Sequence, residues 1–192
     1  MTEILLYHHI QGLTDGVKAF ADKLRNAGHT VHTPDVLEGA TFNTLEEGIA
    51  NAKEVGFNTL QKRGLAAAEG LNAEMVYAGF SSGVMEAQEL AQTRPGARGA
   101  LFLHSCLPVS EFGDGWPDGV PVQIHAMDGD PFFVDDGDID AAKALVDSTD
   151  DAELFLYPGK KHLFSDSSLS SYVPAATKQL TERVLAFLQR LG

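Results

Sequence analysis

The run Met75-Val76-Tyr77-Ala78-Gly79-Phe80-Ser81-Ser82-Gly83-Val84-Met85-Glu86-Ala87-Gln88-Glu89-Leu90-Ala91 leaves the backbone few paths. It reads as a strand, a sharp turn and a helix. Gly79 and Gly83 bracket Ser81 in a G-x-S-x-G pattern. A serine at the apex of such a turn is held in strained torsions, and strand and helix approach so closely that only residues without Cβ fit on either side. Ser81, not Ser82, stands at the centre of the pattern and is the candidate nucleophile for acyl transfer.

Around this turn the chain alternates apolar runs with helical patterns. Ile4–Tyr7 is an expected first strand, followed by a loop from His9 to Asp15 and a helix whose Val17, Phe20, Ala21 and Leu24 share a face and which Gly28 stops. Thr30–Thr33 predicts a second strand. A long helical region with Leu45, Ile49, Ala52, Leu60 and Leu65 follows, with a break near Gly56. After the Ser81 helix, which ends near Pro95, come a strand Ala100–His104, a Gly/Pro/Asp-rich loop and a strand Val120–Ala126. A helix Ile139–Val146, a strand Glu153–Tyr157, a loop Gly159–Ser171 and a helix Ala175–Leu191 close the chain. Strands that are continuous apolar runs, alternating with helices, predict a doubly wound, mostly parallel α/β sheet with helices on both faces. No repeat or linker divides residues 1–192, so one domain is expected, with Ser105–Gly119 as the candidate flap.

A formal charge of −13, from 14 basic and 27 acidic residues, sets the chain against nucleic acid and anionic membrane surfaces as partners and favours small-molecule substrates. The N-terminus carries no cationic segment or cleavage site, no apolar run approaches the ~18 residues of a membrane span, and the single Cys106 suits a reducing compartment. A cytoplasmic monomer or small homo-oligomer is the expectation.

A serine hydroxyl needs a base within hydrogen-bond reach and a third group to orient that base. In α/β-hydrolases the order along the chain is nucleophile, acid, histidine, each after a different strand. Here Asp130 follows the strand ending at Ala126 and His162 follows the strand ending at Tyr157. Asp128 and Asp135 compete with Asp130. The oxyanion donors expected of this layout are the backbone N–H of Ser82 and that of Ile10 or Gln11.

Three segments resemble the dienelactone hydrolase family of α/β-hydrolases: the opening loop with Gly12-Leu13 together with Gly28 and Pro34-Asp35, the turn Gly79–Gly83, and the pair His125–Phe133 and Tyr157–Phe164. The resemblance spans nearly the whole chain. It implies a compact α/β-hydrolase fold, no cofactor, and a Ser81–His162–Asp130 triad. Founding members carry a cysteine where this chain has Ser81, a glutamate where it has His9 and an arginine where it has Asp166. A serine-bearing branch acting on small carboxylic esters or lactones is therefore implied. A non-catalytic binding protein retaining the turn for structural reasons, or a thioesterase or acyltransferase using the same triad, are the competing readings.

Other features have plainer explanations. His8, His9, His29 and His32 lack the companion ligands of a zinc site, so no metal is expected. His9 borders the expected site and is a candidate for substrate contact. Phe132 and Phe164 are candidate walls of an acyl pocket, as are Phe133 and Trp116, with core packing the alternative for each. The acidic segment from Asp128 lacks the glycine an EF-hand turn needs. Cys106, without an adjacent base, reads as a small buried thiol.

Overall fold

In the computed structural model, which describes residues 1–192, six strands form one parallel sheet. The elements are β1 (Glu3–Tyr7), α1 (Asp15–Asn26), β2 (Thr30–His32), α2 (Leu45–Val55), α3 (Phe57–Ala67), β3 (Val76–Phe80), α4 (Val84–Thr93), β4 (Gly99–Leu103), β5 (Val122–Met127), α5 (Pro131–Val134), α6 (Asp138–Ser148), β6 (Ala152–Tyr157) and α7 (Pro174–Leu191). The spatial order is β2-β1-β3-β4-β5-β6. The chain winds outward from β1 in one direction to β2 and in the other from β3 to β6, which puts a topological switch between β1 and β3. Loops beyond the carboxyl ends of strands flanking such a switch form a crevice.

The apolar runs are buried because both faces are covered. On one face α1 and α7 press Val17, Phe20, Leu24, Leu180, Val184 and Phe187 against Ile4, Leu6, Val76 and Leu101. On the other, α4 and α6 contribute Val84, Ala87, Leu90, Ala142 and Leu145 against Leu5, Tyr77, Phe102 and Ile124. Strands β3, β4 and β5 are buried along their whole length, whereas the edge strand β6 is only half-buried over most of its residues.

Local signals set the helix ends. Thr14 caps α1 by accepting from Val17 N–H at 3.2 Å, and Thr44 with Glu47 forms a reciprocal capping box on α2. The helical region after Pro34-Asp35 breaks at Gly56, whose φ of +92° ends α2 and opens α3. Observed strand and helix ends lie close to the sequence expectations. The four-residue α5 is an addition: Asp130 is its N-cap and Pro131 its first residue.

The Ser105–Gly119 segment is fastened at several points. Gln88 of α4 donates to Leu107 O (2.8 Å) and accepts from Leu107 N (3.0 Å), and Gln92 donates to Val109 O. Ser105 Oγ and Cys106 N donate to Asp138 of α6. Trp116 packs edge-on against Phe102 with ring centres 5.8 Å apart and lines a cavity with Pro117, Asp118 and Asp150, so it belongs to the packing under β4 and not to an acyl pocket at Ser81. No helix is long and apolar enough to cross a membrane.

Candidate active site

Parallel register brings the ends of β1, β3, β4, β5 and β6 to one edge of the sheet, and the residues following them carry His9, Ser81, His104, Asp130 and His162. Ser81 holds a left-handed backbone at φ +48°, a conformation costly for a residue with Cβ. The flanking glycines make it reachable. A Cβ on Gly79 would stand 2.6 Å from Val84 N and run into the Gly83 carbonyl; one on Gly83 would meet His8 O at 2.5 Å and Tyr7 Cβ at 2.8 Å. Turn, helix α4 and the loop after β1 are thus locked together at backbone distance.

Ser81 Oγ lies 2.8 Å from His162 Nε2, and His162 Nδ1 lies 2.6 Å from Asp130 Oδ2. Asp130 is fully buried. Its other oxygen, Oδ1, accepts from Phe132 N–H at 3.0 Å, so one carboxylate both caps α5 and faces the imidazole. The competing acids go elsewhere. Asp128 is exposed and accepts from Gly159 N–H at 3.0 Å, bracing the loop that carries His162, and Asp135 is exposed at the C-terminal end of α5. With Asp130 accepting the hydrogen bond from Nδ1–H, His162 presents Nε2 as an acceptor to the serine hydroxyl.

The loop after β1 is held by a buried histidine–carboxylate hydrogen bond. His9 Nε2 lies 2.8 Å from Asp166 Oδ2 while His9 Nδ1 accepts from Gln11 N–H at 3.2 Å, so the Nε2 nitrogen carries the proton. Asp166 also accepts from the Thr14 hydroxyl, from Ser168 N–H (2.8 Å) and from Ser168 Oγ (2.6 Å). Burial pushes Asp166 up, but these hydrogen bonds outweigh it and hold the carboxyl down at about 2. A Cβ on Gly16 would collide with the Asp166 carboxylate, so this pair sits directly on the first turn of α1.

Two expectations are corrected by these contacts. His9 has no exposed surface and both ring nitrogens are engaged, so it braces the loop and has no donor left for a substrate. Phe164 is fully buried, edge-on to His104 at 4.8 Å and against Tyr157, and supports the site from within the core. Of the two backbone donors considered after β1, Gln11 N–H is taken by His9, while Ile10 N–H makes no hydrogen bond within the loops. Phe132, by contrast, is 40% exposed with its ring 4.7 Å from that of His162.

Some site features leave weaker marks in the sequence. His104, at φ +70° after β4, is fully buried with its Nε2 2.7 Å from Ser165 Oγ and its ring 5.9 Å from His162. Burial holds its pKa well below the ordinary histidine value, so it is neutral. Glu86 is buried on α4, and its only mark in the sequence is an acid on the face that also carries Ala87 and Leu90. Cys106 is buried and its thiol is pushed up to about 12 by burial, which leaves it protonated and unreactive. His32 pairs with Glu3 at 2.7 Å and His29 accepts from Thr2 N–H at 3.3 Å, so these histidines have separate partners.

Two cavities flank the Ser81–His162 pair. A cleft of about 350 Å³ runs past His162, Gln11, Phe132 and Lys161. A second, of about 140 Å³, lies beside Ser82, Gly83 and Ile10.

The same architecture occurs in solved structures. A dienelactone hydrolase-like promiscuous phosphotriesterase from metagenomic libraries superposes with a TM-score of 0.77 at 17% identity, over 100% of this chain and 87% of that one. Esterase 2 of Thermogutta terrifontis superposes at 0.60 with 16% identity over 100% and 84%, and its form phosphonylated by sarin at 0.60 with 15% identity over the same shares. These likenesses establish the α/β-hydrolase fold. No curated protein matches the chain in sequence. The family itself is established by sequence: the dienelactone hydrolase family model matches residues 2–192, and the chain belongs to that hydrolase family.

Proposed function

We propose that this chain hydrolyses small carboxylic esters or lactones through an acyl-enzyme on Ser81. The observation that carries the reading is the unbroken line from Ser81 Oγ through His162 to the buried Asp130, at 2.8 and 2.6 Å, on a left-handed turn. His162 Nε2 removes the Ser81 proton as Oγ bonds to the ester carbonyl carbon, and the carbonyl π electrons move onto oxygen. The oxyanion is received by the N–H groups of Ser82 and Ile10. The tetrahedral adduct then collapses, the C–O bond to the alcohol breaks, and His162 gives that alcohol its proton. Water repeats the sequence on the acyl-enzyme: His162 takes its proton, hydroxide adds to carbon, and Ser81 leaves with the proton returned. Asp130 stays ionised and keeps the Nδ1 proton in place throughout. Only protein groups and water are needed, so the reading requires no metal or cofactor.

A binding protein without catalysis would have no use for strain at Ser81, which costs on the order of 1–3 kcal/mol. The test is hydrolysis of p-nitrophenyl acetate by the native chain, Ser81→Ala and His162→Ala. Each substitution should lower kcat by about 10⁴-fold or more. Native turnover no faster than that of Ser81→Ala would refute the reading.

A further inference from the structure

The 140 Å³ cavity beside Ser82 and Ile10 is walled by Ile10, Val36, Leu37, Leu60 and Met85. Because an apolar cavity of ~150 Å³ accepts benzene, this one holds about six non-hydrogen atoms. It lies on the side of the two oxyanion donors. The alcohol must leave beside His162, which gives it a proton, and the larger cleft past Gln11, Phe132 and Lys161 is there. The small cavity therefore suits the acyl arm.

Most polar groups along the cavity are already engaged. Tyr7 OH donates to Gly64 O at 2.7 Å. His8 Nδ1 donates to His9 O at 2.7 Å and its Nε2 accepts from Val36 N–H at 3.1 Å, while His9 is held by Asp166 and Gln11. Glu86 differs. It is 6% exposed, lines the cavity, and accepts a hydrogen bond from no other residue. Burial, reinforced by nearby Glu89, pushes it up to about 7. The position is built for: a Cβ on Gly64 of α3 would stand 2.5 Å from Glu86 Cγ, so a glycine there leaves room for the acid. No other residue donates to this carboxylate, so a ligand in the cavity can supply that donor in place of water.

We propose that this cavity is the acyl-arm subsite and that Glu86 selects substrates whose apolar arm ends in a primary ammonium. Once ionised, Glu86 offers acceptors only, and a cationic donor at the end of the arm is the partner that favours that ionised form. The methylenes match the aliphatic walls. An acidic terminus is repelled, and the charge of −13 concentrates cations near the molecule. The assignment rests on the ester-hydrolase reading for its catalytic consequence, but not for binding.

The test compares p-nitrophenyl 6-aminohexanoate with p-nitrophenyl heptanoate, whose arms match in length. The ratio of their kcat/KM values should favour the amino ester in the native chain and fall at least tenfold in Glu86→Gln, as for loss of a charge-assisted hydrogen bond. An unchanged ratio overturns the assignment. In parallel, calorimetry measures pentylammonium and 1-pentanol on the Ser81→Ala protein with and without Glu86→Gln. Pentylammonium should bind more tightly than pentanol, and Glu86→Gln should weaken it at least tenfold. No binding, or equal binding of the two, overturns it. If neither ester is turned over, the hydrolase reading fails while calorimetry still decides the subsite.

Discussion

Replacing Asp166 by asparagine removes the charge that ties the loop after β1 to the segment carrying His162. In the native chain the Asp166 carboxylate accepts from His9, Thr14 and twice from Ser168. Asparagine keeps one acceptor oxygen and turns an NH₂ toward one pair of donors. If the oxygen stays with Ser168, the NH₂ faces His9 Nε2–H, which cannot change tautomer without losing Gln11 N–H. A buried donor left without a partner costs roughly 1–3 kcal/mol. The depression of the carboxyl from 3.8 to about 2 separately corresponds to about 2 kcal/mol of charge-dependent stabilisation. Asp166→Asn should therefore destabilise the fold by about 3 kcal/mol near pH 7, lowering Tm by roughly 9 °C for a chain of this size. The pH dependence has a definite sign. A carboxyl depressed on folding contributes fully above its unfolded value of 3.8, and the contribution fades as pH falls toward the folded value of about 2. The gap between native and variant should thus narrow by about 1 kcal/mol between pH 5 and pH 3. Urea denaturation of both proteins at the two pH values measures this. A variant within ~0.5 kcal/mol of native near neutrality, the scatter of ordinary surface substitutions, would refute the brace.

Two further outcomes follow from the same contacts. Gly83→Ala places a methyl 2.5 Å from His8 O and 2.8 Å from Tyr7 Cβ, neither on a flexible chain end, so the β1 loop must move. We expect a loss of about 1–3 kcal/mol from overpacking, by urea titration, and at least a tenfold fall in ester turnover because Ile10 moves with the loop; native-like values for both would contradict the close approach. His125 is buried and burial pushes it down from 6.5 to about 3, so the unfolded chain takes up a proton that the folded one refuses as pH falls below 6.5. Stability should then drop by about 2 kcal/mol between pH 7 and pH 5 from this residue alone, read as the difference between the native chain and His125→Gln in urea titrations at the two pH values; an equal pH dependence of the two proteins would argue against a neutral buried ring.

Much of the layout is legible in the sequence because it depends on local chemistry. The strands are continuous apolar runs, the breaks fall at Gly28 and Gly56 with positive φ, and the Gly79–Gly83 spacing follows from backbone contacts within the turn. Asp130 and His162 can be placed because each follows a strand. The short α5 escapes such a reading although Asp130-Pro131 is an N-cap followed by a first-turn proline, since four residues carry no periodicity. His9, Phe164 and Glu86 are misjudged or missed for another reason. Their environments come from partners distant in sequence: Asp166 lies 157 residues from His9, and the glycine that makes room for Glu86 is on another helix. Local pattern can mark such a residue as unusual without revealing which partner buries it.

The central claim is that Ser81 is activated by His162. Intact-protein mass spectrometry after exposure to a fluorophosphonate, run beside Ser81→Ala and His162→Ala, tests it whatever the natural substrate is. The account predicts one adduct on the native chain, located on Ser81 by peptide mapping, with none on Ser81→Ala and labelling slowed by orders of magnitude in His162→Ala. A folded native protein that takes no label, or that labels as fast without His162, would contradict it.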